Sequence, residues 1–225
     1  TAGRASAGTS GSIRVSSGFG TTTSSGHIYI PSSNGGALGM SGSLNLATGT
    51  SAFGTSGDVL VSTGSSIHGG GGEIRLVVGT GYSGNGASVF VSAGSSFASD
   101  ANGGALSLVS GGGSRSSGVA SLGSARSEFD TASGSIFISS GHAATSSGNI
   151  EVVSGESSNE SAGDIALKGG RSGEGEGSTI HLAAGESYGA SRSGGHVNIS
   201  AGSGQQAESS YGGNVLLYGG YSNGG

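Results

Sequence analysis

One short unit recurs from end to end of this chain: glycine, a small or polar residue, apolar, any residue, apolar, two mostly small residues, glycine. It is spelled GSIRVSSG at residues 11–18, GDVLVSTG at 57–64, GSIFISSG at 134–141 and GNIEVVSG at 148–155. The first apolar position falls fourteen times between Ile13 and Val215, at spacings of 14 to 18 with 15 the commonest. Glycine follows it by five residues in twelve of the fourteen units, Ser33 and Ala125 being the exceptions. A period of this length is the mark of a repeat architecture and outranks any local signal.

Apolar, any, apolar is the two-residue period of an extended segment with one covered face, and the β-branched Ile and Val that fill it favour extended backbone. The seven to ten Gly- and Ser-rich residues that follow are too few for a crossover helix, and no stretch carries a 3.6-residue apolar stripe. The periodicity therefore predicts an all-β fold, a single β-solenoid (β-helix) of about 14 rungs with roughly 15–18 residues each and no helices, continuous over residues 1–225. Its core is expected as ladders running from Ile13 and Val15 to Val215 and Leu217. Phe53, Ile67, Tyr82, Phe97, Phe129 and Tyr188 thicken it on the return path. Where that residue is Ser114 or Gly173, backbone hydrogen bonds must hold the return instead. Glycines bracketing each segment are assigned to tight turns, often at positive φ. Insertions at residues 99–102 and 205–208 lengthen one edge.

Composition removes several alternatives. The 52 Gly and 50 Ser suit a linker, but linkers lack regular apolar spacing. Collagen needs Gly at every third residue and abundant Pro, and this chain has 1 Pro. Eight basic against 13 acidic residues leave no cationic footprint for nucleic acid or anionic lipid. With no cysteine there is neither a disulfide framework nor a thiolate metal site. No apolar run approaches the roughly 18 residues of a membrane span. The start at Thr1 without Met, and the end at Gly225 inside a unit, suggest a processed segment of a longer repeat chain.

In a solenoid, residues one unit apart lie about 4.8 Å apart, so chemistry is read down columns. Asp58 and Glu73 share one column and are the pair a polysaccharide-cleaving site requires, but both are expected in solvent, without the distinct environments such a pair needs. Asp164 lies too many units away to join them. Four Asp cannot supply a calcium ligand in every unit, and the five His occupy unlike offsets. No catalytic, metal or cofactor site is therefore assigned, and the cofactor expectation is none. Arg126, His142, Glu156, Arg171 and Glu186 share another column and form an expected structural charge ladder, each exposed pair contributing about 0–1 kcal/mol. The outward residue between the two apolar positions is large and apolar at Tyr29, Leu60, Phe90 and Phe137, the candidate self-association face. Asn159 and Asn198 head N-glycosylation triplets, with Ser161 and Ser200 as third residues.

The quoted repeat, with its apolar-x-apolar core and trailing Ser-Ser-Gly, resembles the Ser/Gly-rich solenoid repeats of microalgal cell-surface proteins and phage tail fibres. The likeness covers the whole chain and carries over no functional residue. It implies an extracellular or cell-surface structural part. The expected function is a non-enzymatic shaft or subunit of an extracellular fibre, partnered by other copies of itself and by attached or bound glycans, with no nucleic acid and no membrane insertion. An ice-binding or glycan-binding module is the alternative; a polysaccharide-acting enzyme ranks below it.

Overall fold

The computed structural model describes residues 2–3, 5–6, 8–127, 131–205 and 210–221. The chain divides into two units, Thr1–Val109 and Ser110–Gly225. Among the described residues there is no helix and no strand. The β-solenoid, or β-helix, expected from the periodicity is therefore not the fold, and the chain is mostly coil.

The reason lies in where the Gly-rich segments close. In a solenoid the path after one apolar segment returns to that segment's start, placing Gly26 beside Gly11 about 4.8 Å away. Instead the Gly26 N–H donates to the Gly18 carbonyl at 3.1 Å, so the loop closes on its own beginning. The next extended segment then starts where the previous one ended. The same bond recurs from Gly42 to Ser33, Gly104 to Gly94, Gly118 to Gly111, Ser178 to Gly170, Gly195 to Gly185, and Gly213 to Gly202. Gly11 to Gly3 repeats it near the start of the chain. Each bond spans seven to eleven residues, the size of a compact surface loop whose ends meet. A single bond at the neck of eight loops is no ladder, and among the described residues no backbone bond passes from one apolar segment to the next.

Small residues make the neck possible. The position two residues before the first apolar one is Gly in twelve of the fourteen units and is the donor in eight closed necks, seven times as Gly; there its Cα faces the residue just before the acceptor. A Cβ added to Gly26 would lie 3.4 Å from Cβ of Ser17, and one added to Gly195 would lie 3.3 Å from Cβ of Ala184. At residues 169–178 the two roles are exchanged: Ser178 is the donor and Gly169 faces it. A Cβ on Gly169 would fall 2.5 Å from Ser178 Oγ, and that hydroxyl itself donates to the Gly170 carbonyl at 3.0 Å. One partner of the pair lacks a side chain either way.

Seven residues after the first apolar position the chain carries Gly or Ser in thirteen of fourteen units, Ala143 being the exception. The two residues turn the loop differently. Gly20 and Gly35 let the two arms approach: a Cβ on Gly20 would sit 2.6 Å from the carbonyl oxygens of both Thr23 and Ser24. Ser51, Ser157 and Ser172 instead accept with Oγ from the N–H three residues on, at 3.0, 3.1 and 2.8 Å, the local side-chain bond that serine offers a turn. Close approach, more than positive φ, accounts for the glycines: among the described residues only Gly8, Gly84 and Ser191 have φ above zero. Three longer loops add a hydrogen-bonded turn, at Gly36–Gly39, Ala98–Ala101 and Gly189–Arg192. The first inserted stretch falls on the second of these turns, and Ser191, at φ 61°, occupies the third position of the last, where glycine is favoured. Of the second insertion, residues 206–208 lie outside the described residues.

No core forms. Among the described residues no side chain is buried, which corrects the expected ladders from Ile13 and Val15 to Val215 and Leu217. The accessible surface is 22914 Å² for 21.1 kDa, whereas a compact chain of that mass exposes about 9,000 Å². Phe53, Ile67, Tyr82, Phe97 and Tyr188 project from loop tips into solvent rather than thickening a core. Phe129 lies outside the described residues. Beside Ser114 and Gly173, the loops at 111–118 and 170–178 are held by their neck bonds.

Candidate interaction surface

Each unit contributes one apolar segment, and in several of them, though not at Val215–Leu217, alternating exposure survives without a sheet. Ile136 is 51% exposed and Phe137 87%, because successive side chains of an extended backbone point to opposite sides. The same holds at Val89 and Phe90, at 62% and 89%. Tyr29 and Leu60 are as exposed as Phe90 and Phe137, so all four candidate contact residues stand in solvent, each flanked by two further apolar residues. The 4.8 Å rung spacing that would align them is absent with the solenoid. What remains is a set of exposed apolar triplets: residues 28–30, 59–61, 89–91 and 136–138.

Among the described residues the charged groups stand apart from one another, with one exception. Glu73 pairs with Arg75 at 3.7 Å across the face of its own segment, both side chains about 70% exposed. This is the ion pair among the described residues, and it joins Glu73 to its own unit rather than to Asp58. Arg126, His142, Glu156, Arg171 and Glu186 are all exposed, and no ion pair links them. Glu186 engages elsewhere: the Tyr188 hydroxyl donates to its Oε2 at 2.7 Å. That bond, followed by a small desolvation effect, raises the Tyr188 pKa above its usual 10.0. Among the described residues no group of three or more His, Asp or Glu is placed to hold a metal ion, and no cavity forms. No helix there is long and apolar enough to cross a membrane.

The two glycosylation triplets occupy different settings. Asn159 sits on the bend at residues 158–160, with Ser157 Oγ accepting from the Glu160 N–H. Asn198 lies in an extended segment between Val197 and Ile199. The neck pairing and the Gly-or-Ser choice at the loop turn were both written in the sequence as columns of small residues, but neither shows in the apolar alternation. Comparison with protein-family models, curated proteins and solved structures returns no match.

Proposed function

We propose that this chain is a non-enzymatic structural protein of an extracellular fibre or surface layer, whose copies associate through their exposed apolar segments. The observation that carries the reading is the absence of cover over those segments. Ordering a backbone costs about 1–2 kcal/mol per residue, and without burial no hydrophobic term offsets it within one copy. A second copy supplies the missing partner. Every copy presents the same triplets, so the surface is self-complementary by identity. Extended segments with unpaired N–H and C=O groups are also templates for another chain's backbone. Area is not limiting: the surface exceeds that of a compact chain by roughly 14,000 Å², against about 800 Å² per partner in a stable interface. Scarce charge, at 9% of residues, leaves little repulsion between copies. The extracellular setting rests on the likeness of the repeat to those of cell-surface and fibre proteins.

The test is electron microscopy and sedimentation velocity of the purified chain and of a Leu60→Glu, Phe90→Glu double variant. The unaltered chain is expected to assemble with rising concentration. Losing two apolar contacts of about 2 kcal/mol each should weaken assembly more than ten-fold. A chain that stays monomeric at its highest soluble concentration overturns the reading, and thermal hysteresis or glycan retention by that monomer would replace it. Fractionation of the source cells tests the location: recovery in the cytosol overturns the extracellular part alone.

A further inference from the structure

Of the two asparagines that head glycosylation triplets, we infer that Asn159 is the acceptor of an N-linked glycan and Asn198 is not. The inference rests on the extracellular reading only for its occasion. The preference itself comes from the two backbone settings. A transferase must draw the asparagine and the hydroxyl two residues on into its own active site, so the acceptor segment has to leave its place without breaking much.

Asn159 meets that demand. It lies at the tip of the loop at 155–163, exposed, with Ser161 also exposed. The neck of this loop is open. No hydrogen bond joins Gly163 to Gly155, and a Cβ built on Gly163 would meet no atom within 4 Å. The one bond holding the tip is that from the Glu160 N–H to Ser157 Oγ, and it lies N-terminal to the hydroxyl-bearing residue.

Asn198 does not. It lies three residues after Gly195 and four before Gly202, between two closed necks. Gly195 donates to Gly185 at 2.9 Å, and Gly213 donates to Gly202 at 2.9 Å. Pulling residues 198–200 into another active site strains both. Opening two backbone bonds corresponds to a loss of roughly ten-fold or more in the reactive population.

The chemistry is a glycosyl transfer from a lipid-diphosphate-linked oligosaccharide. The Asn159 side-chain nitrogen forms a bond to the anomeric carbon, the carbon–oxygen bond to the diphosphate breaks, and the amide proton passes to a base of the transferase. The lipid diphosphate leaves. The glycan would then sit in the more charged unit, Ser110–Gly225. That unit holds 15 of the 21 charged residues and all of the net −5 charge (five basic, ten acidic), whereas Thr1–Val109 has three of each sign. A sugar there adds to an already charged unit.

The full chain should be incubated with a solubilised oligosaccharyltransferase and a lipid-linked oligosaccharide donor, and each triplet's occupancy read by mass spectrometry. Because the enzyme is supplied in vitro, the result does not depend on where the protein resides. Occupancy at Asn159 at least about ten-fold above Asn198 is expected, with Asn159→Gln abolishing the mass shift and Asn198→Gln leaving it intact. Equal or greater occupancy at Asn198, or none at either site, overturns the inference. An Ala184→Val, Ala201→Val chain, in which both necks beside Asn198 are forced apart, should gain occupancy at Asn198; no gain there overturns the neck argument.

Discussion

The loops at 49–57, 64–72 and 79–87 and those at 170–178, 185–195 and 202–213 are built on one repeat, yet the first three stand open at the neck and the last three are closed. The difference is one side chain. Thr48, Thr63 and Val78 precede the acceptor in the open loops; Gly169, Ala184 and Ala201 do so in the closed ones. A β-branched residue keeps a γ-carbon over the place the donor glycine must occupy: both Cβ and Cγ2 of Thr63 lie 3.3 Å from a Cβ built on Gly72. Serine occurs on both sides of the divide, closed beside Ser17, Ser32 and Ser110 and open beside Ser124, Ser140 and Ser154. Nothing in the structure separates these two groups. Backbone order in this chain is thus set loop by loop, and in these six loops it follows the size of a residue outside the apolar pattern.

The largest effect is expected from overfilling a closed loop. Gly20→Ala places a methyl against two carbonyl oxygens and should disrupt its loop by about 1–3 kcal/mol, seen as faster hydrogen exchange of the Gly26 amide. Gly18→Ala in the same closed loop, where a Cβ meets nothing within 4 Å, is the control. Equal effects of the two would mean that close approach does not hold the loops.

Exchanging neck residues should open one loop and close another. Ala184→Val is expected to remove the Gly195 bond and Thr63→Ala to permit one from Gly72 to Gly64, each worth about 1 kcal/mol. Amide exchange at Gly195 should accelerate and that at Gly72 should slow, each several-fold. Unchanged rates in both would show that the size of this residue is not what closes a neck.

The smallest expected effect is electrostatic and confined to one closed loop. The Tyr188 pKa is raised by its bond to Glu186. The stabilisation from this contact is therefore fully present below pH 10.0, the unfolded value, and is lost as pH rises through the higher folded value. Glu186→Gln should lower the Tyr188 midpoint in an ultraviolet phenolate titration, with Tyr188→Phe identifying its contribution. A midpoint unmoved by Glu186→Gln would remove Glu186 as the cause.

The apolar alternation at Ile136, Phe137 and Ile138 was legible from residue type, and the exposed side does carry the large residue. What could not be read was whether Gly26 would meet Gly11 or Gly18. Both glycines stand at the edge of an apolar segment, and a stacked rung and a self-closed loop use the same letters. Closing nearby ends loses less chain entropy than returning to a more distant start, and here the nearer partner took the bond. The carboxylates and the charge ladder depended on that choice, since Asp58 and Glu73 become neighbours only if units stack.

By itself the sequence determined the period, the apolar alternation and the scarcity of basic residues, because these are properties of residue type and spacing. The tertiary structure alone decided which necks close a loop on itself, that no side chain among the described residues is covered, and that Asn159 lies at an open neck while Asn198 lies between closed ones. Those outcomes turn on which of two equivalent backbone partners a donor reaches, and on a methyl group at Thr48, Thr63 or Val78, differences that no apolar pattern records.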